Sequence, residues 1–507
     1  MTVGALLQLE YGNTDRMAFL TLNPQITHFK SVYKKYTNFA TQFITLQPYA
    51  KSAILAWDQD TSYTFKVPRD GDAIRDMYLT FELPDIYSDS RYQFQWIKRI
   101  GEYIVKDISL QIDTNQNVDK HYSEWFHAYS ELNYNEGKKK GYYKMIGHIP
   151  ELYDPANAPG NGGQYPSVPN AYAPSIVNRK LYLPLIFWFN KYASMSFPLI
   201  AIQKTEISIN ITLRRLQELY TVVDYSGTGG SGYRVRPTKI NHNIGNFLYP
   251  ITILSPSVNS IDVNPRIEIN NIYLDNEERK RFALSTHDYL ITQLQVIRKV
   301  YNYSKSIVFD LTNINKPVTE LVFMIRRSDM EDVNDWTNFT NWNLGNIPPY
   351  SKGYVNQYGR PLTINSANIG YYKTPNLLKS AVLRIQTQEI TSGDSLDNDN
   401  STNSRLNGKD SIFFNLMENF NSNQNMPEEG IYTYSFSLDN SSLQPIGAVN
   451  MSSISNKDII LNLTDINPNG GYNYPSGTSY NYSIYVFAVN YDILKVMGGM
   501  VGTMTSN

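Results

Sequence analysis

The 507-residue chain is too long for one ordinary hydrophobic core and long enough for two or three. Its formal net charge of −1 gives no overall bias toward nucleic acid or an anionic membrane. It has no cysteine, which excludes disulfides, thiolate metal sites and cysteine nucleophiles and fits a reducing compartment.

The first residues, MTVGALLQLEYGNTDR, lack a basic region and a long apolar core, so no secretory signal is expected there. Residues 22–36, LNPQITHFKSVYKKY, predict a short amphipathic helix. Asn23 is its cap and Pro24 its first position, where a missing N–H costs nothing. Ile26, Phe29, Tyr33 and Tyr36 recur at helical spacing, with Lys30, Lys34 and Lys35 away from them. A helix of this size is not stable alone, so its face must dock. Residues 1–22, with the apolar GALLQLEYG, then emerge as an arm able to bind a neighbour.

Beyond the arm, period-two alternation dominates. YTFKV places Tyr63, Phe65 and Val67 on one face, EISINITL places Ile207, Ile209, Ile211 and Leu213, and YTYSFSL places Tyr434, Phe436 and Leu438. Helices are few. DKHYSEWFHAYSEL carries Tyr122, Trp125, Phe126 and Tyr129 on one face. LDNEERKRFALS begins with Asp275 as cap and Glu278 three residues on, a capping-box pattern, and reads as a charged connector between domains. Polar stretches at 153–175, 225–232, 337–353 and 391–410 read as surface loops. LYLPLIFWF (181–189) is too short to span a bilayer.

A weak echo links the two halves. IRDMYLTF (74–81) resembles VTELVFMI (318–325), and KDISLQI (106–112) resembles KSAVLRI (379–385). Each second-half segment leads to an aromatic stretch, SIFFNLMENF, similar to HYSEWFHAY. The boundary implied falls near the Asp275 helix.

Chemistry is thin. GTGGSG (227–232) is followed by extended, proline-containing YRVRPTK, whereas a dinucleotide loop requires a helix there. His121 and Glu124 would share a helix face, but His127 lies about 240° around from His121, so packing is the better reading than a metal site. GKKKGYYK (137–144) reads as a solvated turn before it reads as a phosphate contact. No cofactor or metal site is expected. Sequons such as Asn338, Asn400, Asn440 and Asn450 are weak evidence for glycans in an Asn-rich chain.

Eight ordered blocks resemble the major capsid proteins of nucleocytoplasmic large DNA viruses. They are LTLNPQITHFKSVYKKYTNFA, GDAIRDMYLTFELP, IVKDISLQIDTNQNVDKHYSEWFHAYSEL, LPLIFWFNKYASMSFPLIAIQKTEISI, NNIYLDNEERKRFALSTHDYLI, KPVTELVFMIRR, GIYTYSFSL and IYVFAVNYDILKVMGGMVG. The intervening loops do not match, so the resemblance transfers nothing carried by loops.

The resemblance implies an all-β double jelly roll: two eight-stranded antiparallel sandwiches with short helices and long surface loops. It divides the chain into an N-terminal arm (1–25), a first jelly roll (26–275), a helical connector (276–286) and a second jelly roll (287–507). It implies a structural major capsid protein without catalysis, three copies of which make a pseudo-hexagonal capsomer of an icosahedral shell. Implied partners are neighbouring capsomers and minor capsid proteins beneath the shell. Direct nucleic-acid contact is not implied, and an internal viral membrane is contacted only indirectly. The implied location is the virion, assembled in the host cytoplasm. The assembly motif is Asn23, Pro24, Ile26, Phe29, Tyr33 and Tyr36, and the connector is marked by Asp275, Glu278, Arg279 and Phe282. The second reading is a β-sandwich glycan-binding or glycan-cleaving protein, which would need paired carboxylates converging on a cleft if it cleaves.

Overall fold

The computed structural model describes residues 2–6, 20–49, 54–113, 116–167, 173–226, 233–237, 239–250, 258–341, 376–396, 405–464 and 481–504. Two sandwiches are built from β-strands that follow one plan twice. The first uses β1 (Phe39–Leu46), β2 (Thr61–Lys66), β3 (Ala73–Leu83), β4 (Val105–Ile112), β5 (Gln116–Tyr122), β6 (Arg179–Pro184), β7 (Ile207–Leu213) and β8 (Arg266–Leu274). They form two antiparallel sheets, ordered β1-β8-β3-β6 and β2-β7-β4-β5.

The second sandwich uses β9 (His287–Asn302), β10 (Ser306–Asp310), β11 (Pro317–Arg327), β12 (Leu378–Ile385), β13 (two pieces, Gln388–Glu389 and Lys409–Asp410), β14 (Ile431–Ser435), β15 (Lys457–Leu463) and β16 (Asn481–Met497). Its sheets are ordered β9-β16-β11-β14 and β10-β15-β12-β13. Adding eight to each strand number of the first half gives the second. No ladder joins the halves among the described residues. The sequence echo falls on equivalent strands: β3 with β11, and β4 with β12.

The alternating stretches fold as their period requires. In β7 every second residue is buried, with Ile207, Ile209, Ile211 and Leu213 inward. The central strand β11 differs, being buried at every position after its first. Leu321, Phe323 and Ile325 face its own sandwich core, while Val322 and Met324 pack into the first half's cluster. A strand covered on both faces reads as a continuous apolar run, which is what LVFMI is.

Helices fill the joints. α1 (Ser123–Asn133) follows β5 directly, and α2 (Glu136–Met145) starts where the Asn135 side chain accepts the Lys138 N–H at 2.9 Å. α3 (Asn276–Leu284) lies between β8 and β9, where the charged connector was expected.

Several expectations are corrected. No helix forms over residues 24–36. Asn23 takes a left-handed φ of 53° rather than an extended cap conformation, and the Thr27 hydroxyl accepts the Phe29 N–H at 3.3 Å, a local turn that competes with helix. The deeper reason is nucleation: no surface among the described residues covers the apolar stripe, so nothing there offsets the cost of ordering it. GKKKGYYK is α2, with Lys139 and Tyr142 buried, because Glu131 takes the Lys139 ammonium at 2.8 Å. The 391–410 stretch holds a hairpin, Asp394–Leu396 against Arg405–Asn407, inserted between the two pieces of β13. The 153–175 stretch begins with a helical turn, Pro155–Asn157, and buries Ala156 and Ala158. Leu438 lies beyond β14 and is exposed rather than sharing a strand face. The GTGGSG loop and residues 342–375 lie outside the described residues.

Candidate assembly surfaces

The junction between the halves is polar at its centre. Arg326 of β11 is fully buried. Its Nη1 reaches Glu124 Oε1 of α1 at 3.3 Å and donates to the Trp336 carbonyl at 3.1 Å, while Nε and Nη2 donate to Glu331 Oε1 at 3.2 and 3.1 Å. Nη2 also contacts the Tyr485 hydroxyl. Burial alone would raise the Glu124 carboxyl, but Arg214 and Arg326 outweigh it and hold it at about 2.

A second hub sits under α1. Buried Arg99 contacts Glu131, donates to Glu102 Oε1 at 3.1 Å and to Ser130 Oγ at 3.0 Å, and its guanidinium lies 4.9 Å from the Tyr143 ring centre. Burial opposes the Arg99 charge, yet Glu102 and Glu131 keep it firmly protonated.

His121, Glu124 and His127 do not converge. His121 Nε2 lies 3.0 Å from Asp119 Oδ2, Glu124 belongs to the arginines, and His127 Nδ1 meets the Tyr103 hydroxyl at 3.0 Å. No group of residues suited to hold a metal is present among the described residues. Buried Asn338 is also a poor glycan acceptor.

Around the junction, a cleft of about 610 Å³ is lined by Trp125, Tyr129, Trp188 and Tyr491 together with Asp76 and Glu320. These carboxylates are already committed. Glu320 Oε2 accepts from Gln424 and Asn440 at 2.8 and 2.9 Å, and Asp76 accepts from Asn270 at 3.2 Å.

The connector residues share α3 and its start, but the contacts they make are with residues outside the expected set, and the expected capping box is incomplete. Asp275 Oδ1 accepts the Asn276 N–H at 2.8 Å, Arg279 Nε reaches Asp72 Oδ1 at 3.0 Å, and the Phe282 ring stacks on His287 at 5.1 Å. Glu278 Oε2 is buried without a hydrogen-bond partner among the described residues, so no reciprocal capping bond is seen from that atom.

The predicted N-terminal motif is wide open. Phe29 is 99% exposed, and Ile26, Tyr33 and Tyr36 are nearly as open. The ring of Phe29 therefore stabilises nothing within its own chain. We expect Phe29→Ala to change the unfolding free energy of the purified protein by less than about 0.5 kcal/mol and to leave its melting temperature nearly unchanged. A clear drop in a thermal scan would place the ring in a core. Open apolar side chains continue into edge strand β1, at Phe39 and Phe43, and recur on the helix over residues 411–421 at Ile412, Leu416, Met417 and Phe420. The sequence reading missed this second patch. Its signal was the apolar spacing in SIFFNLMENF, which one buried face does not exhaust.

Residues 27–245 match the family model described as "Major capsid protein N-terminus", and residues 278–502 match "Large eukaryotic DNA virus major capsid protein". The major capsid protein of Phaeocystis pouchetii virus is 29% identical over 99% of this chain and 100% of its own length. Two solved structures share the fold. The crystal structure of VP54 from PBCV-1 (Paramecium bursaria Chlorella virus 1), fitted into a reconstruction of the virophage Sputnik, aligns with a TM-score of 0.65 at 22% identity, covering 95% of this chain and 100% of that one. A chain of the quasi-atomic PBCV-1 virus capsid aligns at 0.64 with 23% identity and the same coverage.

Proposed function

This chain belongs to the family of large eukaryotic DNA virus major capsid proteins, and from that membership we propose how it builds a shell. It is a structural protein of an icosahedral capsid rather than an enzyme. Three copies join as a capsomer with six similar corners, one per sandwich. The observation that carries this reading is the duplicated strand order, which gives each chain two equivalent eight-stranded bodies.

In this reading the first jelly roll is residues 26–275, the second is 287–507, and 276–286 joins them. Residues 1–25, with the open side chains that follow them, link a capsomer to its neighbours or to minor capsid proteins beneath the shell. The near-neutral net charge fits a wall that does not bind nucleic acid directly and meets an internal membrane only through other proteins. Assembly takes place in the host cytoplasm, consistent with a chain free of cysteine.

Light scattering at micromolar concentration should return a mass of three chains with little free monomer, as permanent interfaces of this kind seldom leave a stable separate subunit. Deleting residues 1–22 should keep that mass and abolish shells or ordered arrays in negative-stain images. A well-folded monomer from the full chain would contradict the capsomer reading. Normal arrays from the truncated chain would contradict the linking role.

A further inference from the structure

We propose that the cleft between the two halves binds a small aromatic anion with the chemistry of a nucleoside monophosphate, its flat ring on Tyr491 and its charge on Lys191. The site goes beyond the capsid reading and lies within a single chain, so it stands or falls apart from the number of copies that join.

Both halves build the cleft, and two hydrogen bonds join them at it. Lys191 Nζ of the first half donates to Thr292 Oγ1 of β9 at 3.0 Å, and the Tyr192 hydroxyl donates to the Ser441 carbonyl at 2.6 Å. Thr292 stands directly opposite Tyr491 of β16 in the antiparallel ladder. Opposed residues share a sheet face with Cβ atoms about 5 Å apart, so the Lys191 ammonium and the Tyr491 side chain are neighbours.

Charge selects the kind of ligand. The charged side chains that line the cleft are Asp76, Glu320, Lys138 and Lys191. Asp76 already has the Asn270 amide and the Arg75 guanidinium, the latter 3.5 Å away. Glu320 is held by two amides, and burial pushes its carboxyl up, against ionisation. Neither lysine has an ion-pair partner among the described residues. Burial holds both below the ordinary lysine range, and at Lys191 the more distant Asp119 and Glu320 oppose it only in part. An ammonium drawn out of water without a counter-ion is unfavourable, and a bound anion relieves that cost. The same geometry excludes a cationic ligand. Lys191 lies 5.4 Å over the Tyr129 ring and Lys138 4.1 Å over the Tyr134 ring, so the chain's own cations already take those faces.

The unused hydrogen-bonding groups point the same way. Trp125 and Trp188 line the cleft and are buried, yet neither indole N–H has a partner among the described residues. An indole N–H can only donate, and a buried one ordinarily finds an acceptor. Phosphate oxygens supply acceptors to these donors and to the remaining hydrogens of Lys191. The walls favour a flat body. Among the described residues, Tyr192 and Tyr491 have no other ring or cation on their faces. On α2 the wall is Gly137 and Gly141, and nothing lies within 4 Å of where a Cβ of Gly141 would stand. Alanine at such a helix-interior position would stabilise the helix by about 1 kcal/mol, so glycine there favours room over helix stability. The resulting volume of about 610 Å³ is in the usual range for a small-ligand site. A nucleobase stacked on tyrosine contributes about 1–3 kcal/mol, which a compact ion or a saturated chain lacks.

Titration calorimetry on the full-length protein tests the site with adenosine 5′-monophosphate, adenosine and inorganic phosphate. The monophosphate should bind once per chain with a Kd below about 1 mM and raise the melting temperature, and the other two should bind at least about tenfold more weakly. Lys191→Met removes a charge that burial already opposes. Its circular dichroism should match wild type, and its affinity for the monophosphate should fall about tenfold or more. Gly141→Leu enters from the helix side: it favours α2 and projects into the cleft, so it should keep the fold and abolish binding. Monophosphate binding that neither substitution weakens places the ligand elsewhere and overturns the proposal. Inorganic phosphate that binds as tightly as the monophosphate, or a monophosphate that does not bind up to about 10 mM, overturns it as well.

Discussion

Acidification from pH 7.5 to pH 5 should lower the stability of this protein by at most about 4 kcal/mol through two buried histidines. His127 sits on α1 inside the junction, and His148 follows α2 with its ring against Tyr143 and Tyr153. Burial is the main reason both are held well below the ordinary histidine range. Arg99 adds to it for both, with Lys139 and Arg326 also acting on His127 and Lys98 on His148. Each has one ring nitrogen without a hydrogen-bond partner, His127 Nε2 and His148 Nδ1.

The sign follows from which state binds the proton. With the folded value depressed, the unfolded chain takes up protons first as pH falls below about 6.5, and stability is lost from there downward. Glu124 works in a lower window: its contribution is complete above about 4.5 and is lost only as pH falls toward 2. Burial raises Glu102, Glu320 and Glu428, so these three act in the opposite direction, relieving a penalty as they protonate. Urea midpoints at several pH values would measure the net slope, and the pair His127→Gln/His148→Gln isolates the histidines. The variant should start less stable and show a flatter slope between pH 7 and 5. An unchanged slope in the variant would reject the assignment.

Arg326→Met should cost about 3–5 kcal/mol, because it leaves buried acidic partners without their cation. Arg326 joins β11 of the second half to α1 of the first through Glu124, and it also holds Glu331, Tyr485 and the Trp336 carbonyl. The loss should be non-additive. Glu124→Met alone leaves Arg326 and Arg214 facing each other's charge without the carboxylate between them. The double variant Arg326→Met/Glu124→Met should therefore lose less than the sum of the two singles, since replacing both partners removes the orphaned charge. Chemical denaturation of the four proteins in the cycle measures the coupling. Strict additivity would mean that the pair contributes nothing beyond its separate members.

The sequence by itself determined the inward faces of its alternating strands and carried a weak echo of their duplication. Alternation in EISINITL depends only on the two-residue period of an extended chain facing one core, so Ile207, Ile209, Ile211 and Leu213 were legible as inward before any partner strand was known. The echoes at 74–81 and 318–325 landed on equivalent central strands because the same sheet position imposes the same pattern twice. The Asp275 cap was legible because capping is local.

Tertiary structure alone decided which apolar stripes find a cover. Residues 24–36 and Ser123–Asn133 both carry helical spacing, yet only the second folds as a helix, since only it has a sandwich and a second half to bury its face. The same holds for charge: Glu124 and Arg326 stand 202 positions apart, and no local pattern pairs them. The sequence did carry one overlooked trace of the junction, the unbroken apolar run LVFMI beside the alternating MYLTF. A strand needs apolar side chains on both faces only when something packs on both, and what packs there is settled by the arrangement of bodies rather than by neighbours along the chain.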